Sequence, residues 1–263
     1  MKAEVRVFRV LFRAGFLKLS KYIEASLVNI ISSLIFIVVQ YFVWQSILAN
    51  TGDEKYTFHQ MFSYIVYSQI ITCFFPSAMG KQLGQMIRSG DISFSLIKPV
   101  SVMKQLIYEN MGTSAYCLIF ISFPVFLIGE LMSGFQLSSN RIALFIVVLI
   151  FSYGIYACID IIFGILQFYT SSTWGVNSLK YAVIMLLSGR ILPIGVYPEW
   201  SRELLEVLPF RHMYDVPLEI IIGSSAENIS RVILIEIMWL LSLGLGCWTF
   251  FQKSLKHMII QGG

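Results

Sequence analysis

A chain of 263 residues, 57% hydrophobic and only 13% charged, carries about half the charge of an ordinary soluble domain. Its mean hydropathy of +0.74 leaves too little polar surface for water, which excludes a soluble enzyme or a free binding module. The net charge of +4 is explained by membrane orientation and needs no nucleic-acid partner.

Residues 1–25 form the first element. Lys2, Arg6, Arg9 and Arg13 fall on one face of a helix, and Val7, Phe8 and Leu11 point the other way. This reads as an amphipathic helix lying on the inner leaflet, its basic face toward anionic headgroups. It does not read as a cleaved signal, because the mixed segment before the first apolar run is too long and lacks a small-residue cleavage pattern.

Residues 26–263 then read as a single all-α transmembrane domain. Six apolar runs, at 26–48, 61–79, 106–128, 142–168, 174–192 and 232–251, match the roughly 20 residues needed to cross a bilayer. None alternates with the two-residue period of a barrel strand. Pro76 and Pro124 predict kinks in the second and third spans, and Ser242, Gly244 and Gly246 predict close approach by the sixth. Trp44, Trp174, Trp200 and Trp248 fall where interfacial belts form.

Two segments are not expected to cross. Residues 80–100 are polar but half apolar toward their end. They read as a short helix over 84–88, a break at Ser89-Gly90-Asp91, a second piece over 92–97 and a stop at Lys98-Pro99. A loop needs no apolar residues, so this element reads as a docking surface. Residues 193–231 hold Pro193, Pro198, Pro209 and Pro217, with a helical piece over 199–208 whose Trp200, Leu204, Leu205 and Leu208 recur at helical spacing. Broken helices survive at membrane depth only when protein or a wet cavity surrounds them, so this region reads as a re-entrant or interfacial lid.

Basic residues set the direction. With the N-terminus inside, thirteen of the nineteen lysines and arginines lie inside. They comprise those before the first span together with Lys81, Arg88, Lys98, Lys104, Lys180, Lys253 and Lys256. Lys55, Arg141, Arg190, Arg202, Arg211 and Arg231 lie outside. Both termini are then cytoplasmic in a bacterial inner (plasma) membrane, and the 193–231 lid faces out.

Chemistry is sparse. His59, His212 and His257 all lie outside the spans, so no serine–histidine intramembrane protease is expected. There is no G-x-x-x-x-G-K-[ST] phosphate loop, so the chain is no ATPase. The four cysteines sit within apolar runs without metal spacing, so neither a metal nor a cofactor is expected in this chain. Intramembrane ionisable residues are functional candidates by default, which selects Asp160, Arg190 and Glu236. Pairing within the bundle explains the two acids equally well, and snorkelling explains the arginine. Tyr64, Tyr67, Gln69 and Thr72 make the second span more polar than lipid exposure favours.

The sequence IRSGDISFSLIKP at 87–99 resembles an R-x-G-x-[IL]-x-x-x-L-x-[KR]-P element of the permease subunits of type-2 ATP-binding-cassette exporters. LPIGVYPEW at 192–200, LPF at 208–210, Gly223 and the basic tail ending in Gly262-Gly263 are similar to the same family, as is the order of parts along the whole chain. The resemblance implies a permease paired with a second permease, identical or related, above an ATPase dimer that binds the ATP and Mg. Arg88, Gly90, Asp91, Leu96, Lys98 and Pro99 would form the coupling element. The substrate path would run along spans two and five, which carry Tyr64, Tyr67, Gln69, Thr72 and Asn177. Arg190, Pro193, Pro198 and Trp200 would belong to the outer gate, with Arg190 standing where the family pattern has a small or apolar residue. Two other readings stay open: a stand-alone gradient-driven transporter or channel with Asp160 and Glu236 as ion sites, and a non-transporting anchor subunit. The orientation has a direct check. A cysteine replacing Glu203 should react with an impermeant maleimide added outside, and labelling from the cytoplasmic side would invert the topology.

Overall fold

The computed structural model describes residues 2–51, 57–75, 79–133, 138–170, 172–224 and 228–255. Pro76, Lys55 and the tail with Lys256, His257 and Gly262-Gly263 lie outside these. Among the described residues every regular element is a helix. Four helical stretches, Ile23–Leu48, Val102–Leu131, Ser139–Phe168 and Ile229–Leu255, are long and apolar enough to cross a membrane, so the chain is a multi-pass membrane protein.

Helix α1 (Lys2–Ser20) divides as its sequence predicts. Arg6, Arg9 and Arg13 are exposed, whereas Phe8, Leu11, Phe12 and Phe16 are half-buried. The apolar stripe does not face open lipid but docks along α6 (Val102–Cys117). The two helices run parallel in register: Lys104 reaches Glu4 at 3.1 Å, Phe8 meets Tyr108 edge-on at 5.1 Å, and Phe16 meets Tyr116 at 5.4 Å. At the closest point a Cβ on Gly112 would strike the backbone of Phe12 and Phe16, and one on Gly15 would strike the Glu109 carbonyl. The exposed Glu4–Lys104 pair adds little energy; backbone proximity and apolar burial hold this crossing.

Helix α2 (Ile23–Thr51) is apolar on most of its surface, with Leu27, Val28, Ile31, Ile35 and Phe42 exposed, as a lipid- or partner-facing helix would be. Trp44 is the exception to the expected belt: at 3% exposure it packs in the core, while Trp174, Trp200 and Trp248 stay exposed. Helix α3 (Phe58–Phe74), opened by a capping box of Thr57 and Gln60, is the centre of the bundle, and its residues from Met61 through Ile71 are all buried. It ends sooner than the predicted span, and Met79 begins α4 (Met79–Ser89) instead. Helix α5 (Ile92–Ile97) follows directly.

The third apolar run is one long stretch in three parts. A single π turn at Leu118–Ser122 separates α6 from α7 (Phe123–Ser133). Pro124 supplies no N–H to the ladder, and the wider turn just before it absorbs that loss. This is the predicted distortion at Pro124. At 30 residues the run spans about 45 Å, longer than the hydrocarbon layer of about 30 Å, so its polar first turns, with Lys104, Gln105 and Glu109, extend past the apolar part.

Helix α8 (Ser139–Ile165) is the common wall, packed by α4, by α11 (Asp215–Ile222) and by α12 (Ile229–Leu255). Helix α9 (Thr173–Leu187) has only 15 residues, about 22 Å, and stops short of the predicted end at residue 192. Ser188 closes it, and Gly189 turns the chain with a φ of +76°, a conformation costly for any side chain with a Cβ. The α10 helix (Glu199–Val207) lies on the surface. The space above α9 is filled by the segment Arg211–Met213 and α11, which dips into the bundle. Gly223, at its exit, lies against Arg141 near the start of α8, whereas His212 lies beside Glu236, which Ser152 also contacts. That is about 16 Å deeper along α8. No described residue approaches Gly244 or Gly246, so among the described residues the small face of α12 packs against nothing.

The Gly112 crossing yields a test. Gly112→Val should lever α1 off α6 at a cost of about 1–3 kcal/mol, and a cysteine at position 16 should then react much faster with a water-soluble maleimide. Unchanged reactivity would mean that α1 does not depend on this contact.

Candidate functional site

The six coupling residues expected from sequence come together. Arg88, Gly90, Asp91, Leu96, Lys98 and Pro99 are all exposed on a short helical hairpin made by the end of α4 and by α5. Gly90 breaks the two helices with a φ of +79° and has open space around it; its N–H still closes on the Ile87 carbonyl at 3.3 Å, a left-handed helix end. Ser89 donates its hydroxyl to Asp91. Lys98 leaves in extended conformation ahead of Pro99. Beside these polar groups stand Phe94 at 71% exposure and Ile97 at 82%. Both belong to the six-residue α5.

The hairpin is bolted to the bundle at its base. The first turn of α4 presses on α8 so closely that a Cβ on Gly80 would strike the Asp160 carbonyl, and one on Gly164 would strike Gly80. Gly80 donates its N–H to Asp160 Oδ2 at 2.8 Å, so a carboxylate sits at the α4 N-terminus, where the helix dipole favours it. The other Asp160 oxygen accepts from Lys180 Nζ on α9, and both side chains are fully buried. One acid thereby joins α8, α4 and α9. Further along, Gln82 Nε2 donates to Glu109 Oε2 at 3.0 Å while Lys18 donates to Glu109 Oε1 at 3.0 Å, linking α4 to α6 and α1. Gln105 donates to the carbonyls of Val100 (2.7 Å) and Ser95 (3.2 Å), pinning the exit of the hairpin to α6.

The residues expected along a substrate path are mostly turned inward. Tyr64 is 1% exposed, with its hydroxyl within reach of the Gly189 carbonyl and Asp215 Oδ1. Tyr67 donates to Glu130 Oε1 at 2.7 Å, and Gln69 donates to Ser33 at 3.0 Å. Thr72 donates to the Ser68 carbonyl at 2.8 Å. The polarity of α3 thus satisfies partners on this same chain. Half-buried Asn177 donates to the Thr173 carbonyl of its own helix at 2.8 Å. Open apolar surface lies instead on α9, at Leu179, Tyr181, Met185 and Leu186.

At the opposite end Asp215 is the organising residue, which the sequence reading did not single out. Fully buried, it accepts from Ile194 N–H at 3.0 Å, from Tyr64 and from Arg211 Nε at 3.2 Å, while its own N–H donates to the Ser188 carbonyl at 3.1 Å. Arg211 also reaches Glu219 at 3.2 Å. Of the expected gate residues, Pro193 is buried beside this centre, and half-buried Arg190 offers its carbonyl to Ser68 at 2.6 Å. Exposed Pro198 starts α10, on which Trp200, Leu204 and Val207 form an exposed apolar stripe. Glu236 is fully buried, 3.8 Å from His212 and 3.5 Å from Ser152.

Lys180, counted from sequence among the inward charges, is therefore Asp160's partner, and His212 is that of Glu236. An isolated acid in a span announces that a partner exists without naming it. The spacing Gly80-x-x-x-Gly84 was the legible signal for the α4–α8 contact. Lys180→Met should cost about 3–5 kcal/mol by leaving a buried charge alone, read as a loss of melting temperature in detergent. Adding Asp160→Asn should restore much of it; additive losses would show that the two groups act independently. An ABC-2 family transporter protein domain is matched over residues 34–262, and no curated protein matches the chain.

Proposed function

The chain belongs to the ABC-2 family of transporter proteins, and we propose that it is the membrane-spanning permease subunit of an ATP-driven exporter. In this reading it makes six passages, by α2, α3, α6–α7, α8, α9 and α12, with both termini in the cytoplasm. The charge bias supports that direction even without Lys180, whose charge is spent on Asp160. A separate ATPase dimer binds ATP and Mg, and a second permease, identical or related, completes the path.

The observation that carries the proposal is the α4–α5 hairpin, which combines an exposed apolar tip with a base tied to the bundle through buried contacts. A stand-alone carrier has no need of such a surface. The tip around Phe94, Leu96 and Ile97 seats in the ATPase, and a push on it reaches α8 and α9 through Gly80, Asp160 and Lys180. Helix α9 carries open apolar surface, so the path follows α9 at the seam with the second permease rather than buried α3. The dipping α11 and the surface helix α10 close the outer end. The ion-driven alternative loses support at Asp160, which already holds a lysine and a backbone N–H.

Pull-down from gently solubilised membranes on a tag at the tail should recover a stoichiometric ATPase with a phosphate loop. Replacing residues 88–99 by a glycine–serine loop should lose it, and Gly90→Pro should retain the folded protein while abolishing export. Recovery of the chain alone, still moving solute after reconstitution, would overturn the reading.

A further inference from the structure

A cavity of about 330 Å³ opens between α1 and the exit of the α4–α5 hairpin. This places it at the small end of the range of ligand sites. Val7, Val10 and Leu11 of α1 form one wall, and Pro99 and Val100 form the other. Arg6 and Lys98 supply the cationic groups. Among the described residues no acidic side chain pairs with either, although α1 and α6 satisfy other cations through Glu4 and Glu109. The second wall is held firm by Gln105, which lines the cavity and bonds the Val100 and Ser95 carbonyls.

Two unpaired cations above apolar walls fit an amphiphile with an anionic head. The site lies beside the polar first turns of the 30-residue run that begins at Val102, where that run leaves the apolar layer. Val5, Val10 and Leu17 on α1 are exposed apolar side chains. A free phosphate has no use for such walls. We propose that this cavity binds the headgroup and first acyl carbons of an anionic phospholipid from the inner leaflet. The lipid bridges α1 and the hairpin exit, so the anionic content of the membrane sets how firmly the hairpin is held. This rests on the inward orientation proposed above and not on coupling to an ATPase.

The test uses the full chain in phosphatidylcholine vesicles carrying a trace of phosphatidylglycerol with a photoactivatable headgroup. Crosslinks should map to peptides containing residues 6–11 and 98–105. Arg6→Gln and Lys98→Gln should each lower them about fivefold, the weight of one basic residue at an anionic surface. Val10→Phe, which fills the cavity without changing charge, should lower them as well, while Lys81→Gln, an exposed cation elsewhere, should not. Because vesicles present the same lipid in both leaflets, a wrong orientation would leave this outcome unchanged and would be exposed by the Glu203 labelling instead. Equal labelling by a neutral phosphatidylcholine probe, or full labelling of the Arg6→Gln/Lys98→Gln double variant, would overturn the proposal.

Discussion

Asp160 cannot be buried alone. A carboxylate with no exposure in an apolar bundle costs several kcal/mol unless its charge and lone pairs are met, and here Lys180 meets one oxygen and the Gly80 N–H the other. Both partners come from other elements, so that requirement fixes α4 and α9 on α8 at once. The small surfaces of Gly80 and Gly164 let the backbones come close enough for the bond to form. Without that approach the carboxylate would face empty space, and the apolar Met79 and Leu83 of α4 bury against the same wall.

The same economy operates at the other end. Asp215 collects an N–H from the turn after Pro193, the hydroxyl of Tyr64 and the guanidinium of Arg211. It thereby holds a non-helical stretch inside the bundle, where unsatisfied backbone groups would be prohibitive. That is why α9 can be short: the column it leaves unfilled is taken by a segment that dips in and returns, its Asp215 held by Tyr64 of α3, by Arg211 and by the Ile194 N–H.

Between these two centres runs α8, touched by Gly80 and Lys180 near its last turns and by Glu236 near its middle. The base of the hairpin meets this helix near one end, and Gly223 at the exit of the dipping segment lies against Arg141 near the other. Helix α1, laid in register along α6 and tied to α4 through Glu109, braces the hairpin from the side.

The sequence by itself determined the class of the molecule. Long apolar runs with sparse charge admit only membrane helices, the 3.6-residue pattern divided α1 into a basic and an apolar face, and Ser89-Gly90-Asp91 and Lys98-Pro99 marked the ends of the hairpin pieces through local backbone preferences. It also singled out Asp160 and Glu236, since a charge in an apolar run is conspicuous. Only the tertiary structure decided what each residue faces. Lys180 looked like an orientation charge and Trp44 like a belt anchor, the polar groups of α3 looked like a path, and Asp215 drew no notice. Hydropathy reports how much a side chain resists water or lipid, but a partner twenty to one hundred and fifty residues away leaves no mark on local composition. Burial and pairing are set when helices pack, and that is where these assignments were made.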